Sequence, residues 1–137
     1  VEGRVTPEEG TWTDYLHKRH GMAQAEEVGA DHPAAKHAVL QYRVLWHGPQ
    51  GSWLEIELET GRTHQIRIQS GSRGHAVLGD AQYGSTIPFG VQHAEERDRA
   101  IALHARQLGF NHPMTGEPVN VVAPLPDYWG QLNLPTL

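Results

Sequence analysis

Polar and apolar positions alternate most regularly between Trp53 and Glu59. Leu54, Ile56 and Leu58 fall on one side, and Glu55, Glu57 and Glu59 on the other. A period of two is that of a strand with one face buried. The preceding run, Ala38 to Trp46, carries Val39, Tyr42, Val44 and Leu45, residue types that suit a pleated surface. The link His47-Gly48-Pro49-Gln50-Gly51 is made of turn residues, so the two runs predict an antiparallel hairpin. Thr63 to Ser70 fits two patterns. Ile66 and Ile68 alternate as in a strand, whereas Thr63 followed by His64 and Gln65 suits a helix start. A short helix is favoured, ended by Gly71 and Gly74.

The pattern is weaker elsewhere. Val1 to Val5 reads as the end of a strand, and Pro7 to Gly10 as a turn. Thr11 to Leu16 predicts one short helical turn with Thr11 or Thr13 as N-cap. Residues 17–36, rich in Gly, Ala, Glu and His, predict a loop. His75 to Leu78 is a brief apolar link, and Gly79 to Gly84 predicts a loop. Glu95 to Ala102 predicts a helix, Leu103 to Phe110 a strand, His112 to Glu117 a turn and Val119 to Ala123 a last strand, stopped at Pro124-Leu125-Pro126. Strands outnumber helices. The class expected is α+β, a largely antiparallel mixed sheet with few short helices.

Length changes this picture little: 137 residues hold one domain with a modest core. Charge changes it more. The formal net charge of −5 argues, taken alone, against an RNA partner, because proteins that bind phosphates usually carry excess Lys and Arg. The charge is uneven, however. The stretch Glu2 to Glu27 is acid-rich, whereas Arg62, His64, Arg67, Arg73 and His75 follow one another with no acid between them. That predicts a local basic patch. The chain has no cysteine, no apolar run of membrane length and no secretory leader. A cytoplasmic setting is expected. Its start at Val1, inside a strand signal, hints at truncation or processing.

Ten histidines raise the question of a metal. His17 and His20 stand close in sequence, as do His32 and His37, but no carboxylate joins them at a ligand spacing. No metal site is expected. Neither a Gly-Lys-Ser/Thr phosphate loop nor a Gly-x-Ser-x-Gly nucleophile elbow occurs.

The run Leu58-Glu59-Thr60-Gly61-Arg62-Thr63-His64-Gln65-Ile66-Arg67 resembles a signature of the RluA-type RNA pseudouridine synthases. Further pieces follow in that family's order: Gly74-His75, Leu78-Gly79-Asp80, Tyr83-Gly84, Leu103-His104-Ala105, His112-Pro113, Thr115-Gly116-Glu117 and Ala123-Pro124-Leu125-Pro126. Gln69 stands where the family usually has His, and Ala76 where it usually has Pro. The family's nucleophile, an Asp in a His-Arg-Leu-Asp motif upstream of these pieces, has no counterpart in this chain.

The resemblance implies that residues 1–137 are the C-terminal portion of one pseudouridine synthase catalytic domain. It implies the isomerisation of uridine to pseudouridine in a structured RNA, with no metal and no organic cofactor. The partners implied are RNA and the upstream half of the same domain, without which the chain is expected to be inactive. Arg67 would pair with the missing Asp and keep it ionised. Ile66 would pack near the base. Arg62 and His64 are candidate RNA contacts, and Gly61 would allow a tight exit from the strand. Asp80 is expected to brace a loop, a structural role, although it is also the tempting substitute for the nucleophile. His104 is expected on a strand with a satisfied imidazole. Arg67 would then face no carboxylate, and a half domain would leave an open sheet edge and be weakly stable or associated. The alternatives are a non-catalytic RNA-binding module of the same fold, and a protein interaction domain.

Overall fold

The computed structural model describes residues 1–135. Strand β1 (Glu9–Lys18) presents Trp12, Asp14 and Leu16 to one face and Thr11, Thr13 and Tyr15 to the other. The helical turn expected over Thr11 to Leu16 is therefore a correction: the segment is strand. Polar Asp14 sits at an inward position and hides the alternation, because its partners lie far along the chain. Residues 17–36 are not a continuous loop either. His17 and Lys18 end β1, and β2 (Ala25–Val28) pairs back onto it with Lys18 opposite Ala25. So short a strand, with Ala25 its one buried residue, carries no readable period.

The expected hairpin is formed by β3 (Lys36–His47) and β4 (Ser52–Leu58). The register shifts between Val44 and Trp46, where the ladder bulges. The strand order is β2-β1-β3-β4, and every pairing among the described strands is antiparallel. Opposed pairs put Trp12, Leu40 and Leu58 on one face, with Asp14, Ala38, Tyr42 and Ile56 beside them. Gly10 lies opposite Tyr42, and a Cβ there would meet the Tyr42 ring at 3.1 Å. The other face carries Gln41, Arg43, Glu55 and Glu57 and is polar, with Arg43 and Glu55 paired at 2.8 Å.

Helix α1 (Gln65–Gly71) packs on the first of these faces. Its buried residues Gln65, Ile68 and Gln69 recur at helical spacing. Ile68 closes a cluster with Leu16, Ala25 and Ala38, and a neighbouring cluster joins Val5, Trp12, Leu40 and Tyr42. A third apolar cluster, Leu78, Phe89 and Trp129, gathers the irregular segments after α1. The helix expected over Glu95 to Ala102 is reduced to a 3-10 turn at Glu96–Asp98.

Strands β5 (Gln107–Asn111) and β6 (Pro118–Val122) form a separate ribbon. Leu108 faces Val121 and Phe110 faces Val119, so one side of the ribbon is apolar. Leu108 is 62% exposed and Val121 51%. His104 precedes the ribbon rather than lying on a strand, which corrects that expectation, but its Nε2 lies 3.2 Å from the Ala123 carbonyl.

Leu40 is wholly buried at the centre of the sheet. Leu40→Ala should lower the unfolding free energy by about 2–5 kcal/mol in urea titrations. Thr13→Ala, on the exposed face, should change it by under about 1 kcal/mol. Equal effects would mean that the buried face is not where stability resides.

Candidate active site

The site begins where β4 ends. Thr60 Oγ1 accepts a hydrogen bond from the Val39 amide at 2.9 Å and donates one to Gln65 Oε1 at 2.8 Å. Gln65 Oε1 also accepts from the Arg62 amide at 3.0 Å, and its Nε2 donates to the Val39 carbonyl at 3.1 Å. The buried Gln65 amide thus ties the 60–65 loop to β3. The loop turns at His64, whose φ of 53° is left-handed and unusual for a residue with a side chain. Gly61 does not make the turn. Its φ lies outside the left-handed region, and a Cβ there would meet nothing within 4 Å.

Arg67 projects from α1 toward the 80–83 loop. Its Nε donates to Asp80 Oδ2 and its Nη2 to Asp80 Oδ1, each at 2.7 Å. Nη2 also donates to Gln82 Oε1 at 3.0 Å. The guanidinium carbon sits 4.8 Å from the centre of the Tyr83 ring. Asp80 is 1% exposed. Its hydrogen bonds, with burial opposing and its charge assisting, raise the Arg67 pKa above the usual value. The expectation that Arg67 faces no carboxylate is therefore corrected: Asp80 supplies one, and the loop it was expected to brace is joined through it to the helix.

His64 belongs to the same group. Its Nδ1 lies 2.8 Å from the Tyr83 hydroxyl, which also meets the Ala25 amide at 3.2 Å and the Ala25 carbonyl at 3.3 Å. Burial, and then the Arg67 charge, push the His64 pKa below its ordinary value, with Asp80 opposing and Lys18 assisting.

A second charged group lies on the other side of the helix. Arg73 Nη1 and Nη2 donate to Asp14 Oδ2 at 2.7 Å and Oδ1 at 3.1 Å, and the guanidinium lies 5.1 Å from the Trp12 ring centre. Gln69 Nε2 donates to Asp14 Oδ2 at 2.7 Å and to the Trp12 carbonyl at 3.1 Å. Gln69 therefore offers Asp14 an N–H donor. Its own Oε1 is buried without a partner among the described residues.

The expected basic patch is mostly compensated inside the fold. Arg67 and Arg73 each hold a carboxylate, His75 Nδ1 lies 3.0 Å from the Glu2 carbonyl, and Arg62 Nε donates to the His37 carbonyl at 2.8 Å. Arg62 is exposed. Ile66 is half-buried against the Trp12 cluster and also walls an apolar cavity of about 470 Å³, with Trp46, Leu54, Val77, Trp129 and Leu132. Arg67 is not part of that wall. Sequence reasoning missed Gln65, Gln82 and the contact of His64 with Tyr83. The signal available for the last was the order Gly79-Asp80 then Tyr83-Gly84. Among the described residues no cluster of His, Asp or Glu is placed to hold a metal, and no helix is long and apolar enough to cross a membrane.

Comparison with known proteins gives four findings. A family model described as RNA pseudouridylate synthase matches residues 4–72. The ribosomal large subunit pseudouridine synthase D of Vibrio cholerae is 44% identical over 110 residues, covering 74% of this chain and 33% of the relative. An RNA pseudouridine synthase of Chlorobaculum parvum is 40% identical over 140 residues, covering 93% of this chain and 42% of the relative. The chain thus spans about a third to two fifths of the length of such relatives. In fold, it resembles the solved structure of human RNA pseudouridylate synthase domain containing 4, with a TM-score of 0.68 and 24% identity, over 98% of this chain and 60% of that one.

Arg67→Ala should leave Asp80 buried and unpaired and cost about 3–5 kcal/mol of stability. Adding Asp80→Asn should recover part of the loss, since no charge is then stranded. Urea titrations of both variants check this, and equal losses would show that Asp80 carries no stranded charge. The His64 C2–H resonance should titrate with a midpoint below the roughly 6.5 of a free imidazole. Because the fold disfavours the protonated ring, its stabilising effect is complete above the unfolded pKa and is lost as pH falls through the folded one. A midpoint above 6.5 in that reference scale would contradict the burial of the ring near the Arg67 charge.

Proposed function

The chain belongs to the RNA pseudouridylate synthase family, and on that premise we propose that it is the guanidinium-bearing part of a uridine-isomerising active site. The observation that carries the reading is the placement of Arg67. A loop tied to β3 through Gln65 delivers it, partly exposed, to the Tyr83 ring that His64 also meets, with Nη1 bonded to no described residue. A guanidinium in that position orients a carboxylate and keeps it ionised.

The reaction breaks the N1–C1′ bond of a uridine in structured RNA. The uracil turns and rejoins through C5, and the C5 proton leaves. The target base must leave its stack to be reached. In this reading the carboxylate is an Asp on an upstream segment of the same domain, and residues 1–137 are that domain's C-terminal portion. The exposed apolar side of the β5–β6 ribbon supports contact with further protein. Ile66, at the edge of the Trp12 cluster, packs near the base. Arg62, with Nε held by His37, reaches the RNA backbone with its remaining nitrogens, and His64 lines the approach. The chemistry calls for no metal and no organic cofactor.

The test is tritium release from C5-labelled uridine in RNA. The chain alone should release none. The chain joined to an upstream segment carrying His-Arg-Leu-Asp should release tritium, and Arg67→Ala in the joined protein should lower the rate by about 100-fold or more. Release by the chain alone would make Asp80 the first suspect as nucleophile and overturn the reading. No release by the joined protein would leave a non-catalytic RNA-binding module as the better account.

A further inference from the structure

Arg67 carries five N–H donors on a rigid plane. Two face Asp80 through the side edge of the guanidinium, Nε and Nη2. The end edge, Nη1 and Nη2, is different. There Nη2 meets Gln82 Oε1, while Nη1 has no described partner and is not sealed from solvent. The two acceptors also differ in how they are held. The Asp80 amide donates to the Val77 carbonyl at 3.0 Å, and the Asp80 carbonyl accepts from the Tyr83 amide at 3.1 Å and the Ser85 amide at 3.0 Å. Its side chain is therefore anchored through its own backbone. Gln82 is exposed, and its Nε2 makes one long contact, 3.4 Å to the Ala23 carbonyl.

We propose that Asp80 is a positioning residue that holds the side edge of Arg67, so that the end edge, half-covered by Gln82, receives a second carboxylate. This rests on the functional reading above in one respect: the incoming group is taken to be the Asp nucleophile. An unrestrained Arg side chain has many rotamers, and ordering it opposes binding. Asp80 and the Tyr83 ring remove that freedom beforehand and fix the plane in which the incoming oxygens must lie. Gln82 offers a neutral oxygen, which an ionised carboxylate displaces because its hydrogen bonds to a guanidinium are stronger. The Asp80 pairing also means that the second carboxylate meets a guanidinium already neutralised in part. Arg67 then orients the nucleophile without holding it as tightly as a lone cation would.

The first arm of the test uses the 137-residue chain and acetate as a carboxylate probe. Nitrogen-15 spectra follow the Arg67 guanidinium. Acetate should shift the Nη signals saturably while the Nε–H signal, held by Asp80, stays slow to exchange and unmoved. Gln82→Ala should tighten this response, and Gln82→Glu should abolish it by filling the end edge. Loss of the Nε–H signal on adding acetate, no response at all, or an unaltered response in Gln82→Glu would each overturn the proposal.

The second arm measures tritium release in the joined protein. Gln82→Glu should lower kcat by at least about 30-fold with KM within about threefold, because the substituted carboxylate blocks the nucleophile and not the RNA. Asp80→Asn should show the same split. Unchanged kcat in Gln82→Glu, at an exposed position where folding is not at stake, would overturn the proposal. If the unsubstituted joined protein releases nothing, the functional reading fails, and the acetate arm decides the geometry without it.

Discussion

One buried carboxylate sets the rotation of the helix on the sheet. Asp14 lies at an inward position of β1, between Trp12 and Leu16, where an apolar residue would be expected. Its side chain is 9% exposed. Water cannot solvate it fully there, so the protein must. Gln69 and Arg73 do so, and both belong to α1 or the residues just after it. Because Gln69 must face Asp14, the other helix positions are fixed by the 3.6-residue turn. Ile68 falls on Ala38 and Leu16, Gln65 on Val39, Ile66 on the Trp12 cluster, and Arg67 on the 80–83 loop. The direction of the site arginine is thus a consequence of a hydrogen bond on the opposite side of a short helix.

The same logic operates twice. Asp14 and Asp80 are both shielded from water, and each takes a two-nitrogen fork from an arginine braced on an aromatic ring. Buried pairs of this kind contribute little net stability compared with apolar packing, but losing one partner is costly. Their effect is on geometry. Each pair admits one helix register and one loop path, because a shift of one residue would strand a charge. A net charge of −5 is compatible with this arrangement. The acids that matter locally are matched one to one, Glu55 and Glu26 on the surface are paired with Arg43 and Arg19, and acids such as Glu57 and Glu27, with no cation beside them among the described residues, are exposed.

How much of this was legible depended on whether the determining contact was local. The β3–β4 hairpin was readable because Glu55 and Glu57 alternate with Leu54 and Ile56 and the turn residues lie between. The α1 helix was readable in outline, since Gly71 and Gly74 bound it. β1 was not, because the residue that breaks its alternation, Asp14, is explained by Arg73, 59 positions later. The site divided the same way. Arg67 stood out from its flanking motif, and Asp80 from its own, but their pairing joins two motifs 13 residues apart through a loop with no period. The basic run from Arg62 to His75 misled for the converse reason. Adjacent cations in sequence need not form a patch when their acids arrive from elsewhere in the chain.

These compensations bear on what an RNA-facing surface can be here. Long-range attraction for phosphate needs cations that are not already neutralised at short range. Arg67 and Arg73 fail that condition, and His64 is held toward its neutral form by burial and by Arg67. Arg62 meets it in part, since its Nε alone is engaged and the side chain is exposed. On the reading proposed above, attraction of RNA comes chiefly from surfaces outside this site. What the site supplies is orientation: a guanidinium in a fixed plane, a left-handed turn at His64 that a peptide-bonded helix start alone would not give, and a tyrosine that touches both. Within the proposed reading, steering and chemistry are separate tasks of separate surfaces, and a net acidic charge is compatible with the second without the first.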